Sequence, residues 1–163
     1  MAEKKIWILA GEASGDLYGA RLARELRAIA AERGDTVRIS GMGGPQMAAA
    51  DIDLKVDSTE LGVVGVIEVL KHIFTFVAIF FRLVRAAKQE RPDEVVLIDY
   101  PGFNLLFALM MYANRIPVVW YVCPHLWVWG KWRLPVLAKI CTKMLVIFPF
   151  VAVHQNFQNG RRV

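Results

Sequence analysis

Short apolar runs, each followed by a small-residue loop and then by helical periodicity, recur along this chain. That recurrence limits the fold more than any other feature. Ile6, Trp7, Ile8, Leu9 and Ala10 form the first run. An uninterrupted apolar stretch of this length suits a strand buried on both faces. Gly11-Glu12-Ala13-Ser14-Gly15-Asp16 follows as a turn. Residues 17–33 then carry Leu17, Ala20, Leu22, Ala23, Leu26 and Ile29 at helical spacing, until Gly34 stops the helix. Residues 36–40 read as a second strand, and Gly41-Met42-Gly43-Gly44-Pro45 as a second turn in which Pro45 opens a short helix. Residues 54–56 form a short strand. Residues 60–89 are mostly helical, with breaks near Gly62 and Gly65. Strands at 94–98, 117–122 and 144–148 alternate with helices at 103–113 and 131–142. This alternation predicts an α/β fold, a parallel sheet with helices on both faces.

Composition narrows the classes further. A length of 163 residues fits one ordinary domain, or one half of a two-domain enzyme. The chain is 56% hydrophobic, which excludes intrinsic disorder, and its seven Pro and twelve Gly exclude a continuous coiled coil. Cys123 and Cys141 are too few for a disulfide framework. With no signal-peptide pattern at the start, a reducing cytoplasm is expected. The net charge of +5 is unevenly spread. All 15 acidic residues lie at or before Asp99, whereas Arg115, Lys131, Arg133, Lys139, Lys143, Arg161 and Arg162 follow it unopposed. Such a basic block suits an anionic partner, or an acidic complement elsewhere in the protein. No stretch reaches the roughly 20 apolar residues of a membrane span.

In open parallel sheets, chemistry gathers in the loops at the carboxyl ends of the strands, and four such loops stand out. In the first, small residues precede a helix, so backbone N–H groups can meet an anion or a sugar hydroxyl. Glu12 and Asp16 would repel a bare phosphate, which favours hydroxyl binding. The alternative is a plain turn in which Asp16 complements its own helix dipole. The pattern is neither a P-loop nor GxGxxG. The second loop, with three glycines in four residues, permits close backbone approach or simply a tight turn. In the third, Asp99 directly follows Val95-Val96-Leu97-Ile98. A carboxylate at the mouth of a buried strand suits general-base work, and helix capping is the alternative. The fourth, residues 121–133, interleaves Trp127, Trp129 and Trp132 with His125, Lys131 and Arg133. Aromatic faces beside cations can hold a sugar, a base or an interfacial lipid. Cys123 and His125 are two ligands at most, so neither a metal nor another cofactor is expected.

The helix over residues 66–85 is apolar round more than half its circumference, wider than packing on one sheet requires. Ile73, Phe74, Phe76, Val77, Phe80 and Phe81 are the candidate residues for contact with an anionic membrane surface. Burial on two sides, or a homodimer interface, is the alternative.

Five segments then resemble, in order, the lipid-A-disaccharide synthase family. They are Ala10-Gly11-Glu12-Ala13-Ser14-Gly15-Asp16, Gly43-Gly44-Pro45, residues 62–70 (GVVGVIEVL), Ile98-Asp99-Tyr100-Pro101-Gly102-Phe103-Asn104, and residues 121–129 (YVCPHLWVW). The resemblance implies the N-terminal half of a GT-B fold, a Rossmann-like, acceptor-side domain over residues 1–150. A non-matching tail follows at 151–163, and a UDP-binding domain lies outside the chain. It further implies an inverting glycosyltransferase of Gram-negative bacteria that needs no metal. Such an enzyme moves 2,3-diacylglucosamine from UDP to 2,3-diacylglucosamine 1-phosphate, peripherally on the cytoplasmic face of the inner membrane. Asp99 matches the family's essential aspartate and is the expected general base. The motifs place substrate binding at Glu12, Ser14, Gly15, Gly43, Gly44, Asn104, Trp127 and Trp129. On this reading the partners are the acylated sugar phosphate, the UDP-sugar and anionic lipid, with no nucleic acid, and the chain alone is expected not to turn over. The chain departs from the family at Cys123, where Ser is usual, and at Val151, where Glu is usual. The competing classes are a non-catalytic membrane-associated module that binds sugar-lipid, and a nucleotide- or nucleic-acid-binding α/β domain.

Overall fold

The structure, a computed structural model, describes residues 3–61, 73–121 and 134–145. Its elements run β1 (Glu3–Ala10), α1 (Ala13–Glu32), β2 (Thr36–Gly43), α2 (Pro45–Ala49), β3 (Asp53–Asp57), a 3₁₀ turn (Ser58–Leu61), α3 (Ile73–Glu90), β4 (Glu94–Ile98), α4 (Pro101–Ala113), β5 (Val118–Tyr121), α5 (Leu134–Ile140) and β6 (Lys143–Leu145). The strands form one sheet in the order β3-β2-β1-β4-β5-β6, and every pairing is parallel. This is the Rossmann-like α/β architecture expected from the alternation.

The uninterrupted apolar strands are explained by what covers them. Successive strand residues point to opposite faces. Trp7, Leu9, Val95, Leu97, Val118 and Trp120 therefore pack under α3, α4 and α5. Ile8, Ala10, Val96, Ile98 and Val119 pack under α1 and α2 on the other face.

Several boundaries differ from those read in the sequence, and three of them lie at the loops in question. α1 begins at Ala13, so residues 13–16 form its first turn, and the Asp16 N–H already donates to the Glu12 carbonyl at 2.9 Å. α4 likewise begins at Pro101, directly after Tyr100. β2 continues to Gly43, so the glycine cluster is mostly strand, not turn. Pairing with β1 and β3 overrides the local signal there. Gly41 carries φ of 150°, and a β-carbon on it would lie 1.9 Å from the Ile8 carbonyl oxygen.

Polar contacts seat α3 on the sheet. Arg82 donates to the Lys55 carbonyl at 2.9 Å, and Glu90 receives both the Trp7 indole N–H at 2.9 Å and the Lys55 ammonium at 2.6 Å. Hydrogen bonding to Asp53 and Glu90 holds the Lys55 ammonium above its ordinary range. These bonds tie α3 to β1 and β3.

Candidate functional site at the switch point of the sheet

The chain leaves β1 in one direction, toward β2 and β3, and β4 in the other, toward β5 and β6. Loops diverge at such a reversal and leave a crevice, the usual ligand site of open parallel sheets. Ala10 and Ile98 are paired in register. The Gly11–Glu12 and Asp99–Tyr100 loops therefore start side by side at that point.

Tyr100 joins the two loops. Its ring lies on Gly11 so closely that a β-carbon there would be 2.5 Å from Tyr100 Cδ1. It also meets the Phe103 ring at 5.8 Å. Burial, and secondly the negative charge of Glu12, raise the Tyr100 hydroxyl above its ordinary pKa. Asp99 is half-buried, with φ of 48°, and Tyr100 has φ of 49°, two successive left-handed residues that carry side chains. Among the described residues, no side chain pairs with the Asp99 carboxylate. Asn104 is wholly buried and donates its side-chain amide to the carbonyls of Ile98 (3.2 Å) and Asp99 (2.6 Å). Sequence reasoning passed over Tyr100, and the unexplained glycine at position 11 was the available signal.

Asp16 lies in the first turn of its own helix, as one reading had it, and also serves a second helix. Its buried carboxylate accepts the N–H groups of Gly44 (2.8 Å), Gln46 (2.9 Å) and Met47 (2.9 Å). It thereby caps α2 from the neighbouring helix α1, where Gly44 has no side chain to do so. The first and second loops are thus one braced unit. Replacing Asp16 with Ala strands three N–H donors in a closed environment. The expected loss is about 3–5 kcal/mol of unfolding free energy, read as a shift in the urea midpoint. Asp16→Asn, which keeps one acceptor oxygen, is expected to lose less.

The candidate binding residues separate by exposure. Glu12 and Ser14 are exposed at the start of α1. Gly15, Gly43 and Gly44 are buried, and packing accounts for their size. Gly15 faces Ala10 and Ile98, Gly43 lies under Met47, and Gly44 lies against Asp16. Asn104 also faces inward. Trp127, Trp129, Cys123, His125 and the 62–70 motif lie outside the described residues. Among the described residues, no three His, Cys, Asp or Glu side chains gather as a metal site.

The apolar helix also divides. Phe74 is 85% exposed and Phe81 59%, and Ile73 and Val77 are exposed beside them. Phe76 and Phe80, read in the sequence as lacking a protein partner, pack instead against the core. Phe80 meets Phe103 at 5.4 Å and Phe107 at 6.3 Å, both on α4. Among the described residues, no helix is long and apolar enough to cross a membrane.

Comparison with known proteins agrees with this architecture. The solved structures similar to it include a putative UDP-N-acetylglucosamine 2-epimerase from Listeria monocytogenes. Its TM-score is 0.60 at 12% identity, over 99% of this chain and 43% of that one. A UDP co-structure of MnaA from S. aureus scores 0.59 at 15% identity, over 93% of this chain and 40% of that one. At these identities the likeness is one of fold. Sequence relatives include lipid-A-disaccharide synthases from Koribacter versatilis, 44% identical, and Geobacter sulfurreducens, 40% identical. Each match covers 90% of this chain and 37% of the relative, so the chain spans little more than a third of those proteins. The family model described as lipid-A-disaccharide synthetase matches residues 6–158, running past Phe150 into the segment expected not to match. By that match, the chain belongs to the lipid-A-disaccharide synthase family.

Proposed function

We propose that this chain forms the acceptor-side domain of a GT-B glycosyltransferase that joins 2,3-diacylglucosamine, carried on UDP, to 2,3-diacylglucosamine 1-phosphate. The observation that carries this reading is the position of Asp99. It stands half-buried at the carboxyl end of β4, on the switch-point crevice, with no side-chain partner among the described residues. A carboxylate so placed is available to a substrate proton.

In the proposed reaction Asp99 takes the proton of the acceptor's 6-hydroxyl as that oxygen attacks the anomeric carbon of the donor sugar. The bond to UDP breaks on the opposite face, UDP carries away the electron pair, and the configuration inverts. Glu12 and Ser14, exposed at the start of α1, hold acceptor hydroxyls. UDP contacts come from the part of the longer relatives beyond this span. The outward flank of α3 rests on the cytoplasmic surface of the inner membrane, where a diacylated sugar phosphate resides. The basic residues after Tyr100 attract its phosphate and anionic lipid.

Titration of the chain with 2,3-diacylglucosamine 1-phosphate in mixed micelles tests the assignment. The lipid sugar is expected to bind. Glu12→Gln is expected to weaken it about tenfold, the worth of one hydrogen bond to a charged group. UDP is expected not to compete. A chain that takes UDP and ignores the lipid sugar would overturn the reading.

A further inference from the structure

We propose that Asn104 is a positioning residue for Asp99, a clamp that fixes the direction in which the Asp99 side chain leaves the sheet. The inference deepens the proposed function and rests on it for Asp99's role. The clamp itself stands on geometry alone.

Along a regular strand, successive carbonyls point to opposite sides. At the end of β4 they do not. The Asn104 side-chain amide donates to the carbonyls of both Ile98 and Asp99, and the Asn104 backbone N–H donates to the next carbonyl, Tyr100, at 3.1 Å. The side chain therefore grips two consecutive carbonyls, while the backbone N–H makes the first i→i−4 bond of α4 to the third. That arrangement requires the backbone to turn sharply at residue 99, and the turn is made by the left-handed pair Asp99–Tyr100. Left-handed backbone is unfavourable for any L residue with a β-carbon, and it persists where the surroundings over-determine it. Here Asn104 determines it from beneath, and the Tyr100 ring seated on Gly11 determines it from the side. With the backbone of residue 99 so fixed, the direction of its Cα–Cβ bond is fixed as well. Asn suits the task through its two N–H donors on one planar group. A helix of this length does not need a fully buried Asn in its first turn.

Nuclear magnetic resonance on the isotopically labelled chain tests the clamp without substrate. In the wild type, couplings across hydrogen bonds are expected from the Asn104 side-chain nitrogen to the carbonyl carbons of Ile98 and Asp99. Positive-φ couplings are expected at Asp99 and Tyr100. Asn104→Ala is expected to abolish the positive-φ signature at both residues. Met111→Ala, an equally buried change on the same helix, is expected to leave it intact, which separates positioning from general loss of packing. Absence of the wild-type couplings, retention of the signature in Asn104→Ala, or its equal loss in Met111→Ala would overturn the proposal. If Asn104→Ala does not fold, the wild-type couplings decide alone. Failure of the transfer reading appears elsewhere, in the activity of Asp99 variants, so the two outcomes remain distinct.

Discussion

Asp99→Asn, made at the matching position of a full-length lipid-A-disaccharide synthase, is expected to slow the proposed sugar transfer by about 10²–10⁴-fold, the usual worth of a general base. The substitution preserves the size of the side chain and one acceptor oxygen but removes the ability to take a proton. Little structural cost should accompany it, since no described side chain pairs with the carboxylate and the Asn104 bonds run to the backbone of residue 99. Binding of the lipid sugar phosphate should therefore persist, so the loss falls on kcat and not on KM. A variant that loses acceptor binding in proportion to rate would make Asp99 a holding group. A variant that retains the wild-type rate would remove it from the chemistry altogether.

The backbone around Asp99 was more legible than the cooperation within the crevice. β4 occupies Glu94–Ile98 as read, because a continuous apolar run between charged flanks has one good solution in a doubly covered sheet. The position of Asp99 followed from that. Gly41-Met42-Gly43 was misread as a turn because its strand state depends on β1 and β3, which no local window contains. Local reading offered Asp16 only its own loop and helix, yet its three hydrogen-bond donors lie about thirty residues later at the start of α2. Asn104 carried a motif resemblance that marked it as important. Its use as a backbone clamp became visible only with the left-handed geometry of residues 99 and 100. Periodicity read α3 as too apolar for one interface. Which flank is turned inward, however, depends on Phe103 and Phe107 of α4 and on the polar contacts with β1 and β3, all distant in sequence.

That last point changes which residues test membrane contact. Phe74→Glu combined with Phe81→Glu is expected to reduce sedimentation with anionic vesicles by about 10²-fold or more. Each phenylalanine transferred from water into an apolar environment contributes about 1.5–3 kcal/mol, and these two rings are the most exposed large apolar groups on α3. The fold should tolerate the change, because their outward faces touch little of the core. Phe80→Glu should behave in the opposite manner. Its half-buried ring meets Phe81, Phe103 and Phe107, so a carboxylate there loses those ring contacts and is set against apolar neighbours. The expected outcome is a lowered unfolding midpoint. Vesicle binding by the fraction that stays folded should change little. Raising salt should weaken binding of the wild type in part, since Arg85 and Lys88 on the same helix are exposed and attract anionic headgroups. Unchanged sedimentation of the Phe74/Phe81 double variant would assign the outward flank of α3 to a protein surface instead.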